Sequence, residues 1–249
     1  ASSKSIHLFS SPCDLDAISL FSSVNSPAYK VASFDITDLK LIEDIAKEKK
    51  PIILSTGLAN YADIQRAVNM CKNSNNDKII LMQCTSVYPA PVSLSNLNTI
   101  RTIRQAFNVV TGYSDHTLGD HICIAAVALG ASVIEKHFTL DSKLAGPDHH
   151  FAIEPNKLRD MVDKIHDVEL AFGDGVKDGP HGEEIELYEK ARRSIHASIK
   201  IKKGEVITDS MLCTKRPSYG IDPYLIQKII GRRAKRDISA DKWITWNDI

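Results

Sequence analysis

The chain of 249 residues is 43% hydrophobic and 25% charged, and its 31 basic side chains balance 31 acidic ones. Such a composition supports a globular protein with a large core; without a basic excess it argues against a nucleic-acid surface, and no apolar run approaches the ~20 residues that span a bilayer. Five dispersed cysteines (Cys13, Cys71, Cys84, Cys123, Cys213) without CxxC spacing, and no secretory leader, point to reduced thiols and a cytoplasmic protein that handles small molecules.

In chain order, the predicted elements are a strand over 6–10, a strand over 29–33, a helix over 39–49 and a strand over 51–55. A helix over 61–73, a strand over 78–84, a helix over 95–107, a strand over 109–112, a helix over 120–129 and a strand over 132–137 follow. Short β-branched runs alternating with amphipathic stretches are the signature of a parallel α/β architecture. In the first helix Ile42, Ile45 and Ala46 fall at i, i+3 and i+4, as one buried face requires, and Asp38 stands where an N-cap belongs. No GxGxxG opens any helix, so a (β/α)₈ barrel of the TIM type fits better than a dinucleotide-binding sheet. Six strand–helix units over 1–172 leave such a barrel about two units short at its N-terminal side, and an open barrel would expose strand edges and apolar surface. The segment 173–193 opens on the turn-rich GDGVKDGPHG, continues as a charged helical pattern and reads as a linker. A small second domain is expected over 194–249, with turns at Lys203-Gly204 and Gly220 and a helix around 223–230. At roughly 56 residues it is expected to lean on a partner surface.

In a barrel, polar residues just past the C-terminal strand ends form the active site. Here those ends carry Ser10-Ser11, Lys30 and Ser33, Ser55-Thr56-Gly57, Thr85-Ser86-Val87-Tyr88-Pro89, Ser114-Asp115-His116-Thr117 and Glu135-Lys136-His137-Phe138-Thr139, with Asp148 and His149 in a following loop. His116 and His137 end adjacent strands and can share one coordination sphere, a Lewis-acid site with positions open to water or substrate. Imidazole ligation suits Mn, Fe, Co or Zn better than Mg. The other histidines (His7, His121, His150, His166, His181, His196) lack such a context. Lys30, inside the apolar Tyr-Lys-Val-Ala-Ser run, either reaches solvent from the strand edge or faces the barrel mouth, where it holds a carboxylate or phosphate or forms a Schiff base. Ser55-Thr56-Gly57 offers hydroxyls and a tight turn to an anion. Arg216, beside Pro217, reads by its local pattern as a surface charge.

Taken together, KVASFDITD, PIILSTG, CTSVYPAP, GYSDHT, EKHFTLD and GPDHHFAIEP resemble, in order, the run of motifs in the sialic acid synthase family, which includes the legionaminic and pseudaminic acid synthases. RRSIHASIKIKKGEVIT, KRPSYGIDP and IIGRRAKRDI resemble the antifreeze-like (SAF) domain that ends those enzymes. The resemblance implies that His116 and His137 bind a divalent metal, usually Mn2+, with Mg2+ or Co2+ as alternatives. It implies that Lys30, Ser33 and Ser55 hold phosphoenolpyruvate, that Ser114 and Asp148 contact phosphate or sugar, and that Ser86 and Tyr88 line the sugar side; some members carry asparagine where Ser86 stands. Arg216 would reach the barrel of a second subunit and bind the sugar's acyl group, which implies a domain-swapped homodimer. The implied reaction joins phosphoenolpyruvate to N-acetylmannosamine or a 2,4-diacetamido-6-deoxyhexose with release of phosphate, Lys30 acting as an electrostatic clamp. Family members begin with about two further β/α units that supply a glutamate, a lysine and other donor contacts, and this chain is expected to be a truncated form of such an enzyme. A pyruvate-dependent aldolase and a non-catalytic sugar-binding remnant are the alternatives.

Overall fold

The computed structural model describes residues 4–249 and divides the chain into two compact units, Ala1–Asp174 and Gly175–Ile249. In the first, five parallel strands run in sequential order: β1 (Tyr29–Val31), β2 (Ile52–Ser55), β3 (Ile79–Cys84), β4 (Val110–Asp115) and β5 (Val133–Lys136). Six helices connect or flank them: α1 (Leu15–Ser23), α2 (Leu39–Lys47), α3 (Tyr61–Asn73), α4 (Thr99–Phe107), α5 (His121–Ala128) and α6 (Pro155–Ala171).

The parallel register divides the sheet cleanly into two faces. Tyr29 aligns with Ile52 and Ile79, and Val31 with Leu54 and Leu81. These side chains pack against Ile42, Ile45 and Ala46 of α2 and Ile64, Ala67, Val68 and Cys71 of α3 in one continuous core. Local signals direct those helices: Asp38 accepts the Leu41 amide at 3.0 Å, and Asn60 with Asp63 forms a reciprocal capping box at the start of α3. Tyr113 continues this helix-covered face on β4, against Ile100 of α4 and Ala126 of α5.

The alternate residues face the other way. Lys30 aligns with Ile53 and Ile80, and two residues further along lie Ser55, Met82, Gly112 and Val133. Two further still come Cys84, Ser114 and Glu135. Strand period two places all of these on one face, the concave interior. Lys30 of β1 and Glu135 of β5 belong to opposite edges of the five-stranded sheet, yet their charged atoms stand 3.7 Å apart. The sheet is therefore strongly curled, as half of a barrel is.

The strand expected over 6–10 is reduced to a single parallel bridge, Ser10 to Tyr29. Ile6, Leu8 and Phe9 are exposed, so this segment gains too little burial to hold an extended ladder. Helix α1 was not expected; Asp14 caps it by accepting the Ala17 amide at 2.7 Å, and of its residues Ile18 alone is buried.

The second unit contains α7 (Ile185–Ala191), an antiparallel pair of β6 (Ser194–Ala197) with β7 (Leu212–Lys215), and α8 (Ile226–Ile229). Its own core gathers Ile195, Ile201, Ile207, Ile221, Ile229, Ile238 and Ile244. Among the described residues no helix is long and apolar enough to cross a membrane.

Candidate functional site

The interior face carries a chain of polar contacts across four strands. Lys30 Nζ donates to Ser55 Oγ at 2.7 Å and to the Val31 carbonyl at 3.3 Å, and lies 3.7 Å from Glu135 Oε2. The other oxygen of Glu135 accepts from Ser114 Oγ at 2.6 Å. The Lys30 side chain is only 12% exposed, so its charge is held in a low-dielectric position where it acts strongly on an anion.

Beside it, Ser33, Gly57, Cys84 and Ser86 form a small cradle. Ser33 Oγ accepts the Gly57 amide at 3.0 Å and stands 3.1 Å from Cys84 Sγ. A Cβ at position 57 would lie 2.5 Å from Ser86 Oγ and 2.8 Å from Cys84 Sγ, so glycine is required by the close approach. Ser86 Oγ is buried and finds no partner among the described residues, a hydroxyl available to a bound molecule. A cavity of about 590 Å³ opens next to the cradle over Thr56, Gly57, Cys84, Thr85 and Tyr61, and its lining carries no charged side chain. Neutral hydroxyl and amide groups suit a ligand rich in the same groups.

The histidines stand at the ends of β4 and β5. His116 Nδ1 lies 2.7 Å from the Thr85 carbonyl, which obliges that nitrogen to carry the hydrogen and leaves Nε2 as a free lone pair. The His116 and His137 rings are 5.3 Å apart, edge to face. Tyr88 packs on His116 at 4.2 Å, and Phe151 lies 4.9 Å from His137. Asp148 Oδ2 stands 3.8 Å from His137 Nδ1. Burial holds His116 below the usual imidazole range, against the opposing pull of the Thr85 carbonyl. Burial, with smaller contributions from Cys84, Glu135 and Asp148, pushes the Tyr88 hydroxyl up, so it stays a neutral donor. Among the described residues no group of three or more His, Cys, Asp or Glu side chains forms a metal cage. Two imidazoles, one of them with its Nε2 lone pair held free, fit an open, exchangeable divalent site and not a closed structural one.

Behind the histidines, on the helix-covered side, Asp115 pairs with Lys136, the two side chains 0% and 4% exposed. Asp115 Oδ1 accepts the Thr117 amide at 3.0 Å, Oδ2 accepts from Cys123 Sγ at 3.3 Å, and Lys136 Nζ donates to the Thr117 carbonyl at 2.8 Å.

Of the residues singled out in the sequence, the structure gathers Lys30, Ser33, Ser55, Ser86, Tyr88, Ser114, His116, His137 and Asp148 at the strand ends of the first unit. Arg216 follows β7 in the second unit and is exposed. Sequence reasoning did not assign a role to Glu135, which links Lys30 to Ser114. Its signal was the period-two spacing from His137 in Glu-Lys-His, which puts both on one face.

The lowered His116 affinity for protons sets a sign for stability against pH. The unfolded imidazole, with a pKa of about 6.5, takes up a proton before the folded one does, so the folded state is favoured above that pH and loses stability as pH falls below it. In urea titrations of the metal-free protein, the decline between about pH 6.5 and 5 is expected to be shallower in His116→Asn than in wild type. Parallel pH profiles for the two proteins would contradict the assignment.

Residues 1–177 match the model of the NeuB family, and residues 192–249 match that of the SAF domain. An uncharacterised protein of Methanocaldococcus jannaschii is 43% identical over 98% of this chain and 72% of its own length. The N,N'-diacetyllegionaminic acid synthase of Campylobacter jejuni is 41% identical, covering 96% of this chain and 72% of that enzyme. Among solved structures, the spore coat polysaccharide biosynthesis protein SpsE of Bacillus subtilis superposes with a TM-score of 0.68 at 34% identity, over all of this chain and 74% of that one.

Proposed function

Because the chain belongs to the NeuB family, we propose that it joins phosphoenolpyruvate to an N-acetylated amino sugar, forming a nine-carbon sialic-acid-like product and releasing phosphate. The observation that carries this reading is the approach of Lys30 to Glu135 between the two edge strands, because it gathers a cation, the Ser55 and Ser114 hydroxyls and the histidine pair around one space. Similarity to the legionaminic acid synthase of Campylobacter jejuni and the pseudaminic acid synthase of Helicobacter pylori supports an amino-sugar acceptor.

On this reading Lys30 binds the anionic donor, with Glu135 orienting its ammonium, while Ser33 and Ser55 donate to carboxylate and phosphate oxygens and Ser114 contacts phosphate or sugar. Tyr88, Ser86 and Asp148 face the sugar. His116 and His137 hold a divalent cation, Mn2+ for preference, which when bound supplies Lewis-acid polarisation of the sugar aldehyde. Carbon 3 of phosphoenolpyruvate forms the new bond to the aldehyde carbon, water adds at carbon 2, and cleavage of the bond from carbon 2 to the phosphate oxygen expels phosphate. No Schiff base is required, so Lys30 remains an electrostatic group throughout. Arg216 would come from a second copy, in a domain-swapped cytoplasmic homodimer, to bind the acyl group.

Phosphate release from phosphoenolpyruvate, followed with Mn2+ or with chelator across N-acetylmannosamine and 2,4-diacetamido-6-deoxyhexoses, is expected to be metal-dependent and to select one sugar. Turnover of pyruvate with a borohydride-trapped Lys30 adduct would establish an aldolase instead. A folded, metal-loaded protein silent with every sugar would favour the non-catalytic alternative.

A further inference from the structure

On the concave face of the half-barrel His116 and His137 stand side by side at the strand ends. On the opposite face, one residue back along each strand, stand Asp115 and Lys136. These two are register partners, the last aligned pair between β4 and β5. Beyond them the ladder stops, and the imidazoles project from backbone that no further β4–β5 pairing holds together. The His116 and His137 carbonyls accept the Ala90 and Ile153 amides, both at 2.8 Å, and what ties the two strand tips to each other is the side-chain pair: the Lys136 ammonium meets the Asp115 carboxylate, both buried. The same two groups grip the residue after His116 from both sides, since Asp115 Oδ1 accepts the Thr117 amide and Lys136 Nζ donates to the Thr117 carbonyl. Cys123, from α5, completes the Asp115 carboxylate's partners at 3.3 Å.

We infer that Asp115 and Lys136 are positioning residues, a clamp on the far side of the sheet that sets the spacing and tilt of His116 and His137. This rests on reading the histidines as the functional pair. Neither clamp residue faces the interior where substrate would lie, so neither is a catalytic residue. Fixing a ligand-bearing loop through its backbone is what a metal site needs, because partners that orient ligating side chains govern affinity even when they touch no metal.

Asp115→Asn combined with Lys136→Met tests the inference, since removing both charges avoids leaving one buried and unpaired. Two readouts are taken on protein shown to be folded by circular dichroism. In chelator-treated protein, the imidazole Cε1–H resonances of His116 and His137 report ring position, because both rings pack on Tyr88 and on each other. They are expected to shift while that of His196, in the second unit, stays in place. Calorimetric titration with Mn2+ alone is expected to show binding weakened by about 10- to 100-fold. Lys136→Arg, likewise checked for folding by circular dichroism, provides a second variant that keeps the charge pair and changes the length of the link; it is expected to move the same two resonances by a smaller amount. Resonances unmoved in both variants would overturn the inference, whatever the Mn2+ result. Shifted resonances in a protein whose wild type takes up no Mn2+ would uphold the clamp and sink the metal assignment.

Discussion

Phosphate release by the His137→Ala protein is expected to fall about a thousandfold or more below wild type, and excess Mn2+ is not expected to restore it. Lewis-acid polarisation is worth several kcal/mol of transition-state stabilisation, and each 1.36 kcal/mol is a factor of about ten in rate. His137 is the cleaner of the two histidines to remove, because its ring lies 3.8 Å from an exposed carboxylate and makes no closer side-chain contact of that kind. His116→Ala is expected to match the loss, but it also strips the Thr85 carbonyl of its 2.7 Å donor and so disturbs the β3 loop that carries Tyr88 and Ser86. Steady-state turnover beside unfolding curves separates these contributions. Activity within tenfold of wild type in folded His137→Ala would remove the histidine pair from the chemistry.

The largest effect on stability is expected from breaking the Asp115–Lys136 pair on one side only. Lys136→Met leaves a fully buried carboxylate with only the Thr117 amide and the Cys123 thiol, and Asp115→Ala strands an ammonium that is 4% exposed. Removing one member of a buried pair costs about 3–5 kcal/mol, because the survivor keeps its desolvation penalty without the compensating charge. For a domain of this size that is roughly 10 °C or more in Tm. Removing both charges together is expected to recover most of the loss, since neither group is then left uncompensated. Thermal and urea unfolding of the two single variants and the double variant measure this directly. Single variants within about 1 kcal/mol of wild type would mean that water reaches the pair.

Much of the site could be read from the sequence because strand ends carry their chemistry locally. Ser55, Ser114, His116 and His137 each follow a β-branched run, and the barrel rule assigns such positions to one end of the sheet. Helix α2 was equally legible: Asp38 announces it and the spacing of Ile42, Ile45 and Ala46 fixes its buried face. What the sequence withheld depends on register and curvature. Glu135 acquires its meaning only when β5 comes within reach of β1, a distance across the whole sheet that no local pattern encodes. Asp115 and Lys136 look like two ordinary charges until the ladder aligns them. The segment 6–10 misled because its alternating apolar residues satisfy the strand pattern, while burial, which decides whether a strand persists, is a tertiary property. Helix α1 was missed for the opposite reason: Leu-Asp-Ala-Ile-Ser-Leu-Phe-Ser-Ser presents little contrast between its faces, and Ile18 alone is buried.

The alternation along the strands has a practical consequence for engineering. Odd and even positions of a single strand answer to different pressures: Leu54 and Tyr113 to the layer of helices, Ser55 and Ser114 to whatever occupies the hollow. A mutational library restricted to every second residue near the strand tips would therefore vary ligand preference while leaving the hydrophobic packing intact, and one shifted by a single residue would mostly sample misfolded proteins.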